Sequence, residues 1–275
     1  MKAILTIQSQ VAGARVGNGA ACFAIERLGL RAIPLPTTLL GRRPDRGPPG
    51  GGPVPTGLLQ SMFAALEADG ALAGIDVLLS GYIADVEQID FILYAVARLK
   101  AANPQAIYVC DPVMGDGKPY VSDEIAGAMV AKLIPAADLV TPNLWELVTI
   151  TGLPCDTIVT ARRAALTLNR PCLITSAPTP SGTGALYCSI KASWLVETPR
   201  APAAPKGTGD LFTALFVAQR LLGKSTAVAL EAAAGATYDV ILRSLAEGGD
   251  HLALIEAQDK LAEPDTWPTA QPVNA

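Results

Sequence analysis

The sequence predicts an α/β protein: one three-layer α/β/α domain with a mostly parallel central sheet and a small antiparallel hairpin at its edge. Three observations carry that expectation. Short apolar runs alternate with longer stretches of helical periodicity along almost the whole chain, the pattern of repeated strand–helix units. The short runs are apolar throughout rather than alternating, as strands covered on both faces must be. Polar residues collect directly after several runs, at Ser9/Gln10, Ser80–Tyr82, Asp111–Asp116, Thr141–Glu146 and Thr175/Ser176, and the carboxyl ends of parallel strands are where such sheets bind ligands.

Taken in order, Ala3–Ile7 reads as the first strand and Gly17–Leu28 as the first helix. Arg31–Leu35 is a second strand. Pro36–Pro55 follows, rich in Gly, Pro and Arg and without periodicity, a long loop of the kind that is usually functional or disordered. Thr56–Ala68 is a capped helix with Leu58, Leu59, Met62, Phe63 and Leu66 at helical spacing. The alternation continues with strand Asp76–Ser80, helix Val86–Ala101, strand Ala106–Cys110, helix Asp123–Leu133, strand Asp138–Thr141, helices Asn143–Thr151 and Thr157–Leu168, and strand Pro171–Thr175. Ala185–Ile190 and Trp194–Glu197 lack a long helix between them and read as the antiparallel hairpin. Gly209–Leu222 and Ser225–Ala246 are the closing helices, and residues 263–275 form a loose tail on a domain spanning 1–262.

Bulk properties exclude several function classes. The 275 residues carry a net charge of -4, which disfavours nucleic acid or an anionic membrane as partner. The apolar start is cut by Gln8, Ser9 and Gln10, a strand rather than a signal peptide, and no uncharged apolar run is long enough to span a bilayer; a soluble, cytoplasmic protein is expected. His251, near the C-terminus, is the only histidine, which disfavours Ser-His-Asp catalysis and excludes a two-histidine metal site within one chain. The five cysteines contain no C-x-x-C pair and read as buried free thiols.

Three motifs carry chemistry. Lys206-Gly207-Thr208-Gly209-Asp210-Leu211-Phe212 places two glycines around Thr208 immediately before an apolar helix. Consecutive N–H groups there, with the helix dipole, make an anion hole for a phosphoryl group, and Asp210 beside it can take a proton from an attacking hydroxyl. The plain alternative is a capped helix with a first-turn charge. Asp111-Pro112-Val113-Met114-Gly115-Asp116-Gly117 sets a carboxylate at a strand end before a glycine loop, suited to Mg²⁺ and its waters or to an ordinary Asp-Pro turn. Thr141-Pro142-Asn143-Leu144-Trp145-Glu146 brings Asn143 and Glu146 to one helix start, either facing the same cleft or capping that helix. A Walker A loop and a G-x-G-x-x-G after the first strand are both missing.

The order D-P-V-M-G-D-G, T-P-N-x-x-E and G-T-G-D resembles the ribokinase-like superfamily. T-I-Q-S-Q-V, R-V-G-N at Arg15–Asn18, S-G-Y at Ser80–Tyr82 and K-A-A-N-P-Q-A-I-Y-V-C-D-P-V-M-G-D at Lys100–Asp116 narrow the resemblance to the pyridoxal kinases, over about residues 1–262. The resemblance implies an ATP-dependent kinase of the 5′-hydroxymethyl group of pyridoxal, with Asp210 as catalytic base and Gly207, Thr208 and Gly209 as anion hole. It implies Ser9, Tyr82 and Tyr120 at the substrate, and Asp111, Asp116, Thr141, Asn143, Glu146, Thr175 and Ser176 around Mg-ATP. Asp111 and Glu146 are its metal residues, with room for a monovalent cation such as K⁺ near Thr141 and Asp111. A homodimer is the implied assembly. The chain departs from the family in one stretch. Where members carry an S-x-Q-F-S-N-H-T-like segment, this chain has Leu40, Arg43 and Pro44 in place of the aromatic, histidine and threonine, so a kinase of another hydroxymethyl heterocycle or of a sugar-like alcohol stays open, as does a non-catalytic binder of vitamin B6.

Overall fold

In the computed structural model, which describes residues 1–180 and 182–273, the chain forms one sheet of ten strands in the order β10-β9-β8-β7-β6-β5-β4-β1-β2-β3. The strands are β1 (Ala3–Val11), β2 (Arg31–Leu40), β3 (Gly51–Pro53), β4 (Val77–Ser80), β5 (Ile107–Cys110), β6 (Leu139–Val140), β7 (Cys172–Pro178), β8 (Gly182–Cys188), β9 (Ser193–Pro199) and β10 (Gln271–Pro272). The centre, from β2 through β7, is parallel; β3 at one end and β8, β9 and β10 at the other pair antiparallel. The helices are α1 (Asn18–Arg27), α2 (Thr56–Ala68), α3 (Glu87–Ala102), α4 (Asp123–Ala128), α5 (Ile134–Ala136), α6 (Leu144–Thr151), α7 (Ile158–Thr167), α8 (Thr208–Leu221) and α9 (Thr226–Ala246).

Successive side chains of a strand point to opposite faces, and here both faces are dry. Ile4, Val77, Leu79 and Val109 pack with α1, α8 and α9, whereas Leu5, Ile7, Leu78 and Tyr108 pack with α2 and α3. That division is why these runs read as unbroken apolar segments, and it makes the three layers. A smaller cluster under α6 and α7 joins Leu147, Ala161 and Ala165 to Cys172, Leu186 and Cys188 of the antiparallel strands. All five cysteines are free thiols.

Four expectations need correction. The first strand does not stop at Ile7; it runs to Val11, because residues 8–11 stay on the ladder with β2 across a local register shift. Residues 36–55 are not structureless: β2 extends to Leu40 and turns back as β3, with Thr38 opposite Pro53 and Leu40 opposite Gly51. The helix expected over Asp123–Leu133 is α4 running into a π-helical turn at Met129–Leu133; Pro135 follows within one turn and has no N–H to continue the ladder. The C-terminal segment is not loose: β10 pairs with β9, Ala270 N–H donates to Glu231 and Val273 N–H to the Ser193 carbonyl. Asn274 and Ala275, the end of the expected tail, lie outside the described residues. No helix among the described residues is long and apolar enough to cross a membrane.

Candidate active site

The carboxyl ends of β5, β6 and β7 and the start of α8 enclose a cleft of about 380 Å³. Its floor is built by the glycine-flanked turn before α8. Gly207 has φ 97°, a left-handed conformation that suits glycine, and a Cβ there would fall on the Arg15 carbonyl oxygen. Thr208 Oγ1 donates to the Pro205 carbonyl at 2.6 Å, and the first helical bond runs from Leu211 N–H to the Gly207 carbonyl at 2.9 Å. The amides between them open the helix, where N–H groups have no intrahelical acceptor, and Gly207, Thr208 and Gly209 line the cleft. A helix start of this kind can accept an anion.

Asp210 stands in that first turn. Its Oδ2 accepts the Gly17 N–H at 2.9 Å, and burial raises its carboxyl to about 6 against the pull of that hydrogen bond. A carboxylate with this value is ionised near neutral pH and still basic enough to take a proton. Asp111, at the end of β5, is buried and raised well above the ordinary carboxylate range, first by burial and then by the charges of Glu146 and Asp210. Thr141 and Thr213 turn hydroxyls toward Asp111 and offset part of that rise, yet both oxygens are buried without a hydrogen-bond partner of normal geometry.

Glu146 ties two loops together. Its Oε1 accepts the N–H groups of Met114 at 2.9 Å and Gly115 at 3.3 Å, and its Oε2 accepts that of Asn143 at 2.8 Å. Asn143 Oδ1 returns the bond by accepting Glu146 N–H at 2.8 Å, completing a capping box, while Asn143 Nδ2 donates to the Gly115 carbonyl. Burial raises Glu146 to about 7 despite the three amides. The two readings of this motif are therefore both present: the residues cap α6 and also line the cleft. Ser176 Oγ accepts Leu144 N–H at 3.0 Å, and Thr175 N–H donates to the Pro142 carbonyl, which fixes β7 against the same helix start.

Of the residues singled out in the sequence, Asp111, Asp116, Tyr120, Thr141, Asn143, Glu146, Thr175, Ser176, Gly207, Thr208, Gly209 and Asp210 all line this cleft. Ser9 and Tyr82 do not. Ser9 is buried on β1, with its hydroxyl where a Cβ on Gly17 would fall. Tyr82 is half-buried after β4, its carbonyl accepting the Thr37 hydroxyl at 2.6 Å. That side is covered by the β2–β3 segment, whose tip is tied down by charge. Arg43 grips Asp45 with two hydrogen bonds of 2.9 and 2.7 Å and donates to the Asp250 carbonyl, and Arg46 pairs with the Asp250 carboxylate.

Three contributors escaped the sequence reading. Gly17 supplies the amide to Asp210; its only signal was its place in R-V-G-N. Lys206 reaches across the cleft mouth to Asp116 at 2.6 Å and the Tyr120 hydroxyl at 2.8 Å; its signal was adjacency to the two glycines. Val196, Phe212, Ala234 and Ile241 form an apolar wall, with the buried Thr237 hydroxyl unpartnered; they come from separate elements and share no local pattern.

A cation fits this donor set. Asp111 is raised by burial and by the neighbouring carboxylates, and the Thr141 hydroxyl turned toward it is buried without a hydrogen-bond partner of normal geometry. No group of three or more His, Cys, Asp or Glu among the described residues is placed to hold a metal ion by itself, so phosphates and waters would have to supply the remaining ligands.

Comparison with known proteins agrees with the geometry. Residues 27–254 match the family model for phosphomethylpyrimidine kinase. The chain is 36% identical to pyridoxal kinase PdxY of Corynebacterium diphtheriae over 271 residues, covering 95% of this chain and 96% of that protein, and 35% identical to pyridoxal kinase PdxY of Leifsonia xyli at the same coverage. The crystal structure of pyridoxal kinase from Leishmania donovani in complex with ADP and pyridoxamine superposes with a TM-score of 0.93 at 25% identity, covering 99% of each chain.

Proposed function

This chain belongs to the phosphomethylpyrimidine kinase family, among its pyridoxal kinases, and from that premise we propose that it transfers the γ-phosphoryl group of ATP to the 5′-hydroxymethyl group of pyridoxal and related B6 vitamers. The observation that carries the reading is Asp210, a carboxylate near pKa 6 fixed by the Gly17 amide beside the open N–H groups of α8. The substrate hydroxyl loses its proton to Asp210 as its oxygen bonds to phosphorus, and the bond from phosphorus to the β-phosphate oxygen breaks. Gly207, Thr208 and Gly209 hold the negative oxygens of the transferring group with backbone amides. Little covalent chemistry is asked of the protein, so positioning and charge stabilisation provide the rate.

Asp111 and Glu146 are the residues that would hold Mg²⁺, Asp111 as the carboxylate at the end of β5 and Glu146 through the loop it fixes. An ion held there would supply positive charge against the phosphates. Thr141 and Asp111 offer oxygen to a monovalent cation such as K⁺. Val196, Phe212, Ala234 and Ile241 suit the flat apolar faces of a nucleobase. A homodimer in the cytoplasm completes the reading.

A second reading is favoured by the β2–β3 segment. Arg43 and Pro44 stand where the family carries a histidine and a threonine, and Arg43 is committed to Asp45 and Asp250 rather than free for a pyridine ring. A kinase of a hydroxymethylpyrimidine would use the same catalytic end. The two are separated by measuring ADP release with pyridoxal, pyridoxine, pyridoxamine, hydroxymethylpyrimidine and ribose as acceptors. Pyridoxal is expected to show kcat/KM at least about tenfold above the pyrimidine; the reverse order moves the assignment, and binding without turnover of any acceptor leaves a non-catalytic binder.

A further inference from the structure

We propose that Asn18 is a positioning residue for this phosphoryl transfer: by tying the start of α1 to β1 it holds the Gly17 amide on Asp210, and so fixes the carboxylate that receives the proton. The inference rests on the kinase reading above and deepens it.

Little else fixes that carboxylate. Asp210 Oδ2 accepts the Gly17 N–H at 2.9 Å, and among the described residues neither carboxylate oxygen has another hydrogen-bond partner. The base stands on α8, but its one donor stands 193 positions earlier, at the cap of α1. Whatever places Gly17 therefore sets the aim of the base, holding one oxygen and leaving the other for the acceptor hydroxyl.

Gly17 is placed from three sides. Its φ of 54° and ψ of -132° lie in a region open to glycine. Its backbone forms an isolated antiparallel bridge with Gln10. A Cβ on it would fall 2.3 Å from both the carbonyl oxygen and the hydroxyl of Ser9, so β1 lies directly against it. Asn18 adds the side-chain tie. Its Nδ2 donates to the Gln8 carbonyl at 3.1 Å, and both residues are buried. Gln8 borders the register shift of β1 against β2, so the tie joins the start of α1 to the one irregular point of that strand pair.

A plain helix cap does not account for Asn18. The first turn of α1 has no side-chain cap; Asn18 is already inside the helix, and its amide reaches the strand instead of the N–H groups of its own turn. Its Oδ1 is buried without a hydrogen-bond partner, as is Nε2 of Gln8. Buried polar atoms left unpaired cost stability, so the side chain is poorly suited to a purely packing role, and what it supplies is the position of one backbone amide. No proton passes through Asn18. The acceptor hydroxyl gives its proton to Asp210, and the amide fixes only the direction from which the carboxylate takes it. Geometry of that kind is steep in rate, since a displacement of about 1 Å can cost about 10²-fold.

The test is a double-mutant cycle between Asn18→Ala and Asp210→Asn, read by steady-state turnover of ATP and pyridoxal. Asn18→Ala is expected to lower kcat by about 10- to 10²-fold, with KM for ATP and for pyridoxal within about twofold of wild type. Added to Asp210→Asn, it is expected to change the residual rate by less than about twofold, because residues that act as a unit are not additive. Asn18→Ser keeps a hydroxyl donor; it is expected to fall between alanine and wild type, and it carries the cycle if the alanine variant does not fold. Equal fold losses in the two backgrounds overturn the proposal, as does a loss of kcat matched by a loss of folded protein in the calorimetric unfolding enthalpy. Hydrogen exchange at the Gly17 amide gives a readout without turnover: it is expected to be faster in the Asn18 variants than in wild type, and an unchanged rate overturns the proposal. Wild-type protein that phosphorylates no B6 vitamer would defeat the kinase reading separately, while the exchange rate would still decide whether Asn18 holds the Gly17 amide.

Discussion

Replacing Asp210 with asparagine should make the ligand-free protein more stable and nearly inactive. Asparagine keeps an oxygen for the Gly17 N–H, which now lies 2.9 Å from Oδ2, and removes a charge that burial disfavours. Folding raises this carboxyl from 3.8 to about 6, a difference of roughly two units and so a ceiling of about 3 kcal/mol at 1.36 kcal/mol per unit. The side chain is only half-buried, and solvent screening brings the working figure to about 1–2 kcal/mol. The sign follows from the direction of the shift. Folding favours the protonated acid, so its contribution is fully present below pH 4 and is lost as pH rises through about 6. Wild type therefore loses stability across that window and Asp210→Asn does not, so the two coincide at pH 4 and diverge to a plateau above pH 6. A gain of about 1–2 kcal/mol corresponds to several degrees in a chain of this size, read by calorimetry at pH 4 and pH 8 without divalent cations. Turnover should fall about 10²- to 10⁴-fold. A melting temperature at pH 8 equal to or below wild type, or turnover within about tenfold of it, would refute the assignment of Asp210 as a desolvated catalytic base.

Glu146→Ala should cost about 3–5 kcal/mol in urea unfolding, because it strands the buried N–H groups of Met114, Gly115 and Asn143, each worth about 1–3 kcal/mol when left unpaired. Glu146→Gln should cost less, since one amide oxygen still accepts. Gly235→Ala should cost about 1–3 kcal/mol by overpacking, since a Cβ there falls on the Thr266 carbonyl. Limited proteolysis should then cut the C-terminal segment sooner than in wild type.

The elements most legible in the sequence were those whose stability is local or whose burial is total. The strands at Val77–Ser80 and Ile107–Cys110 were found almost to the residue, because a strand covered on both faces writes its limits in apolar side chains. The turn before α8 was legible for a related reason: Gly207 must adopt φ 97°, and that demand leaves glycine in the chain. Strand β3 was not legible. Gly51-Gly52-Pro53 has low strand propensity, and it is extended because Leu39 and Leu40 present free edge groups to it. Strand β10 is likewise created by the edge of β9.

The candidate site divides along the same line. Asp111, Asn143, Glu146 and Asp210 each lie in a short motif at a strand end or helix start, so sequence alone grouped them, whereas the apolar wall of Val196, Phe212, Ala234 and Ile241 shares no local pattern. The contacts of Ser9 with Gly17 and of Tyr82 with Thr37 could not be grouped in this way, since no local pattern records them. The sequence by itself determined the alternation of strands and helices, the anion-binding turn and the carboxylates, because each rests on contacts within a few residues. Tertiary structure alone decided that the Gly17 amide meets Asp210 across 193 positions, that Lys206 meets Asp116 across 90, and that burial lifts the carboxylates, because proximity across the fold and exclusion of water are properties of the packed chain.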